Sequence, residues 1–237
     1  LSILFKYILE IDISLFSIFF SRSKYILFIF FIFFETNWNF LENSFLLFIS
    51  NIFSEIKIPP IDLDNWNILN KSNPWVAHQD YDNLPWCRAT DIFPYSIDKI
   101  ESYIGNFETY SSTFSRMIAS DLIDTNIVYL RVDYPLFLSD RDYLVQYNSF
   151  VDNKNVFYQW RAVKHEDIPE YNNAVRLVNA AGEWALVYIT ADSTQVSYSW
   201  NGELLGDFPN FSLSTAWETG GTEIINELRY AVENNYK

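Results

Sequence analysis

Few side chains in this sequence carry the means for chemistry. The densest group is Asp140-Arg141-Asp142, set between the apolar, β-prone runs Pro135–Leu138 and Tyr143–Val145. Two carboxylates flanking a guanidinium can act as acid, base or anion holder. They can also pin a chain reversal. Arg141 has five N–H donors, enough for a carboxylate and free carbonyls, and Ser139 and Asp140 suit turn hydrogen bonding. The flanking strands favour that structural corner over a catalytic role. Of the two histidines, His78 and His165, neither has a second histidine four residues away, as a helical zinc site needs. His165 precedes Glu166 and Asp167 and reads as a solvated strand end. Cys87, the single cysteine, excludes an internal disulfide and a cysteine-rich metal site. It lies in an apolar strand pattern with no evident base beside it, so it reads as packing. No catalytic residue, metal or cofactor is expected.

The chain around these residues has 237 residues, 19% of them aromatic, and a net charge of −14. Such acidity excludes general nucleic-acid binding, where phosphates need Lys and Arg. It also disfavours long-range attraction to anionic membranes. Residues 1–58 contain no Gly, Ala, Val or Pro. They are expected to be a leader outside the fold, either a signal-like segment or translated upstream sequence. In the first case Arg22 and Lys24 precede the apolar run Tyr25–Phe34, and the protein is periplasmic or secreted; otherwise it is cytoplasmic. Pro59-Pro60 marks the boundary of a domain spanning 59–237.

Within that domain a short helix is expected near Asp64–Leu69, then strands at Trp75–Gln79 and Trp86–Phe93. Ser96 is a candidate N-cap, with Asp98 in the first turn and Ile97, Ile100 and Ile104 on one face before Gly105. Phe107–Ser120 reads as a second helical stretch. Six strands follow at 127–134, 143–151, 156–165, 175–180, 183–190 and 195–201, joined mostly by hairpin-length turns that imply an antiparallel sheet. In the last strand Val196, Tyr198 and Trp200 alternate with Gln195, Ser197 and Ser199, which predicts one buried and one wet face. A long helix is expected from about Pro209 to Asn234, with Leu213, Trp217, Ile224, Leu228 and Ala231 or Val232 on its apolar stripe. Gly220-Gly221 interrupts it, as a kink or as a hinge for a gate. The sum is an α+β plan, an antiparallel sheet wrapped round a C-terminal helix with two short helices before it.

Three segments resemble the START family of lipid-transfer domains, within the helix-grip, Bet v 1-like superfamily. They are Arg88–Tyr110, Val128–Tyr147 with its Ser-Asp-Arg-Asp corner, and Ala174–Trp200 followed by Gly206–Phe211 and Glu223–Arg229. The resemblance implies a hydrophobic cavity between sheet and C-terminal helix. That cavity would bind a lipid or other hydrophobic small molecule and could transfer it. It implies a bacterial-type single domain, a monomer, and transient membrane contact. Tyr143, Tyr147, Tyr158, Trp160, Trp184, Tyr198 and Trp200 on the sheet, with Leu213, Trp217 and Ile224 on the helix, are the expected lining. So many polar-tipped rings suit a cavity with hydrogen-bonding handles better than a plain core. Tyr147 and Asn148 occupy the stretch where some sterol-binding members carry an arginine. Related helix-grip proteins include polyketide aromatases and cyclases, so the alternatives are an enzyme of that kind or a non-catalytic regulatory scaffold.

Overall fold

The computed structural model describes residues 56–134, 139–164, 173–201 and 213–235. The leader up to residue 55, the apolar run 135–138, His165 and the helix start expected at Pro209 lie outside the described residues. Ten strands form one sheet: β1 (Asn67–Asn70), β2 (Trp75–Tyr81), β3 (Leu84–Phe93), β4 (Met117–Asp124), β5 (Ile127–Val132), β6 (Asp140–Asp152), β7 (Asn155–Ala162), β8 (Ala174–Arg176), β9 (Ala181–Thr190) and β10 (Ser193–Asn201). Their order is β1-β2-β3-β10-β9-β7-β6-β5-β4, with β8 beside β6. Helix α1 (Ile97–Ile104), a 3₁₀ turn (Phe107–Thr109) and the single-turn α2 (Tyr110–Thr113) link β3 to β4, and α3 (Leu213–Asn234) closes the chain.

Local chemistry accounts for most of these elements. Asp82 and Asn83 both have positive φ, the geometry of a two-residue hairpin turn, and join β2 to β3. The Ser96 hydroxyl accepts from the Lys99 N–H at 3.4 Å and caps α1. α1 then buries Ile97, Ile100, Tyr103 and Ile104. Three expectations are corrected. Asp64–Leu69 is not helical, because Asn67–Asn70 pairs with β2 as an edge strand. Helical structure stops at Thr113, and Met117–Asp124 is a strand paired with β5. The antiparallel pattern has one exception, since β8 runs parallel to β6.

Helix α3 runs unbroken through Gly220-Gly221. A Cβ at Gly221 would lie 3.0 Å from Val76 Cγ1, 3.1 Å from Ala89 Cβ and 3.2 Å from Trp200 Cη2, so this glycine lets the helix approach the sheet closely. Trp217, Gly221, Ile225, Leu228, Ala231 and Val232 are its buried residues. The stripe therefore passes through Ile225, fully buried, while Ile224 is only half-buried against the core. Charge anchors its second half. Arg116 donates twice to Glu223, Ser115 donates to Glu227, and Arg229 pairs with buried Asp91 while stacking over Phe93.

The outer face of the sheet is not uniformly wet. Ser197 and Ser199 of β10, expected in solvent, are each 1% exposed. The chain entering the domain covers them. Arg88, also buried, donates to Ser199 Oγ and to the carbonyls of Pro59, Pro60 and Ile61, and so ties residues 59–61 to the outside of the sheet. Arg161 holds the Ile56 carbonyl in the same way at 3.2 Å.

Candidate functional site

The seven sheet rings proposed as lining come together on the inner face because their registers align. Tyr158, Trp184 and Tyr198 form one cross-strand row. Tyr147, Trp160, Gly182 and Trp200 form the next. Gly182 has a steric reason: a Cβ there would stand 2.5 Å from Trp160 Cζ2, so the indole lies across the gap in the row. Trp184 meets Tyr198 at 4.3 Å between ring centres, Tyr198 meets Trp200 at 5.1 Å, and Tyr143 stacks on Trp160 at 5.8 Å.

The helix residues take a different place. Trp217 tilts over His78 at 5.2 Å, and α3 lies chiefly against β2 and β3. Leu213 and Ile224 pack against the same core from the edge of the stripe. What covers the rings of β6 and β9 is the 3₁₀ turn, α2 and the residue that follows it. Phe107 stacks on Tyr147 at 4.1 Å, Phe114 faces Trp184 at 6.0 Å, and Tyr110 meets both Phe107 and Phe114 edge-on. These three capping aromatics were not among the expected lining. Their spacing of three and four residues, at Phe107, Tyr110 and Phe114, was the available signal.

The polar ends of this ring network are neutral. The Tyr110 hydroxyl donates to the Ile104 carbonyl at 2.7 Å, and the Tyr158 hydroxyl donates to Glu101 at 2.8 Å. Burial pushes the hydroxyls of Tyr110, Tyr143, Tyr147, Tyr158 and Tyr198 above their ordinary pKa, so they stay protonated. Trp217 Nε1 and Thr113 Oγ1 are buried without a hydrogen-bond partner. Burial also raises the Cys87 thiol well above its usual range, which makes it a poor nucleophile although His78 stands opposite it in register. No group of His, Cys, Asp and Glu among the described residues has the arrangement of a metal site.

The Asp140-Arg141-Asp142 cluster opens strand β6. Asp140 pairs with Arg131, and buried Asp142 accepts two bonds from Arg176 and one from the Tyr129 hydroxyl. Arg141 donates to the Ser139 carbonyl and lies 4.9 Å over the Tyr134 ring. The carboxylates of the cluster are thus met by arginines of β5 and β8.

No protein-family model matches the chain, and no curated protein matches it. Solved structures do. The STAR-related lipid transfer protein of Xanthomonas axonopodis superposes with a TM-score of 0.61 at 19% identity, covering 72% of this chain and 99% of that one. Human STARD10 gives 0.65 at 13% identity, over 76% and 82% of the two chains. Human StAR-related lipid transfer protein 5 gives 0.60 at 13% identity, over 75% and 90%. This chain has the START-domain fold. In START-fold terms α3 is the gripped helix of a helix-grip α+β plan, and the ring network occupies the sheet face towards it.

Proposed function

We propose that residues 59–237 form a binding domain for a lipid or other hydrophobic small molecule, held on the inner face of the sheet. The observation that carries this reading is the inner ring network; on the same side of the sheet, beneath α3, Trp217 Nε1 is a buried donor without an acceptor. A buried N–H without an acceptor costs on the order of 1–3 kcal/mol, and native interiors keep few such groups. An oxygen atom of a bound molecule would satisfy it. Tyr143, Tyr147, Tyr158, Trp160, Trp184, Tyr198 and Trp200 supply apolar surface, at about 25 cal/mol per Å² buried. Leu213, Trp217 and Ile224 would contribute from the helix side. Protonated tyrosines offer neutral handles, which suits an uncharged or weakly polar ligand. The fold shared with lipid transfer proteins supports the same reading and adds release and uptake at a membrane through transient contact. The protein acts as a carrier, without catalysis and without nucleic acid.

The test is organic extraction of the purified protein followed by mass spectrometry, with titration of a neutral fluorescent lipid. The expected result is a hydrophobic molecule retained through purification and saturable binding of the probe, weakened when Trp160 or Trp184 is replaced by alanine. Empty protein that binds none of a panel of neutral lipids would overturn the reading.

A further inference from the structure

A cleft of about 190 Å³ opens on the opposite face of the sheet from the rings, lined by Ile61, Leu63, Trp66, Trp75, Arg88, Thr90, Gln195 and Ser197. Its walls and its charge point to a particular kind of occupant. Trp66 and Trp75 meet edge to face at 6.4 Å and form an aromatic wall. Arg88 is 3% exposed, yet it donates to neutral acceptors, three backbone carbonyls and the Ser199 hydroxyl. No carboxylate among the described residues forms an ion pair with it. Burial lowers its pKa to about 10, against the opposing pull of Glu183 and Asp62. A guanidinium has five N–H groups. Four are committed, which leaves one on Nη1. Beside it, the Thr90 and Ser197 hydroxyls share one hydrogen bond at 2.9 Å, so one of the two keeps its hydrogen for another acceptor. Gln195 adds an amide.

We propose that this cleft is a second binding site, separate from the ring network, for a small aromatic monocarboxylate. The ring would lie against Trp66 and Trp75. The carboxylate would take up the spare Arg88 N–H, the spare hydroxyl and the Gln195 amide. A buried cation whose hydrogen bonds run only to neutral groups, and whose plane rests 4.6 Å over the Trp66 ring, gains from a charge-assisted partner. The carboxylates of Glu183 and Asp62, both felt by Arg88, disfavour a dianion such as a phosphate monoester. The size of the cleft admits one or two fused rings.

The test is calorimetric titration of the full chain with 2-naphthoate and, separately, with 2-naphthamide, which has the same ring system and no charge. The acid is expected to bind at least about tenfold more tightly than the amide. Replacing Arg88 also releases residues 59–61, so the deciding variant is Gln195→Phe. It fills the cleft from the solvent side and leaves the Arg88 bonds in place. It should weaken 2-naphthoate by about tenfold or more while the melting temperature holds. Equal affinity for acid and amide would overturn the proposal. So would undiminished naphthoate binding by Gln195→Phe, which would put the acid elsewhere, or no binding of naphthoate at all.

Discussion

Replacing Gly220 and Gly221 with alanine one at a time separates helix propensity from helix-to-sheet packing. Both glycines lie inside α3, and neither has the left-handed backbone that would penalise a side chain. Alanine therefore gains about 1 kcal/mol of helix propensity at either position. At Gly220 a new Cβ meets nothing within 4 Å, so the gain is kept in full. For a domain of this size, about 1 kcal/mol raises the melting temperature by about 2–4 °C. At Gly221 the same Cβ presses on Val76, Ala89 and Trp200 at 3.0 to 3.2 Å. Val76 and Ala89 are fully buried on paired strands, so they have little room to retreat. Overpacking of this kind costs about 1–3 kcal/mol. Set against the propensity gain, Gly221→Ala should range from neutral to about 2 kcal/mol less stable. Urea denaturation of both variants at equal m-value measures the difference directly. Equal stabilisation by the two substitutions would refute the close approach of α3 to β2 and β3. A loss of stability at Gly220 would refute the unbroken helix and return the pair to the role of a hinge.

Two further outcomes follow from the site and the corner. In an unfolded chain tyrosine ionises near pH 10; in the fold burial holds Tyr110, Tyr143, Tyr147, Tyr158 and Tyr198 above that. Above about pH 10 the unfolded chain thus binds fewer protons than the folded one, so stability is complete below that pH and falls as pH rises beyond it. Tyrosinate absorbance should rise for these residues only together with unfolding, and smooth ionisation near pH 10 in a folded protein would count against their burial. At the start of β6, Asp142→Asn removes the charge that meets Arg176 and the Tyr129 hydroxyl in a nearly closed setting. It should cost about 2–4 kcal/mol in denaturant unfolding and leave binding of a neutral lipid probe unchanged. Intact stability with lost binding would make the corner part of the site.

Much of the fold was legible because local rules govern it. Alternation at Val196, Tyr198 and Trp200 identified a strand and its inner face. The cap at Ser96 and the isoleucines after it identified α1. The seven sheet rings were legible as a group because parity places them on one face. Where the structure departs from the local pattern, the deciding contact is remote in sequence. Met117–Asp124 has little strand character of its own and becomes β4 by pairing with β5.

The sequence by itself determined the α+β class, the long amphipathic helix, and the aromatic character of one sheet face, since these rest on periodicities of two and about four residues. Only the tertiary structure decided what lies on the other side. Ser197 and Ser199 read as solvent-facing because period two reports alternation, not what covers a face; the cover comes from residues 59–61, tied down by Arg88 across 27 to 29 positions. The choice of Ile225 over Ile224 is of the same kind. Neighbouring helix positions differ by about 100°, and both fit an apolar stripe until the sheet beneath α3 selects one. Gly221 likewise reads as a break in isolation and becomes a contact point only when Val76, Ala89 and Trp200 are brought beneath it. Partners that lie far apart along the chain leave no local pattern, and the energy that fixes each choice appears only when the sheet is assembled.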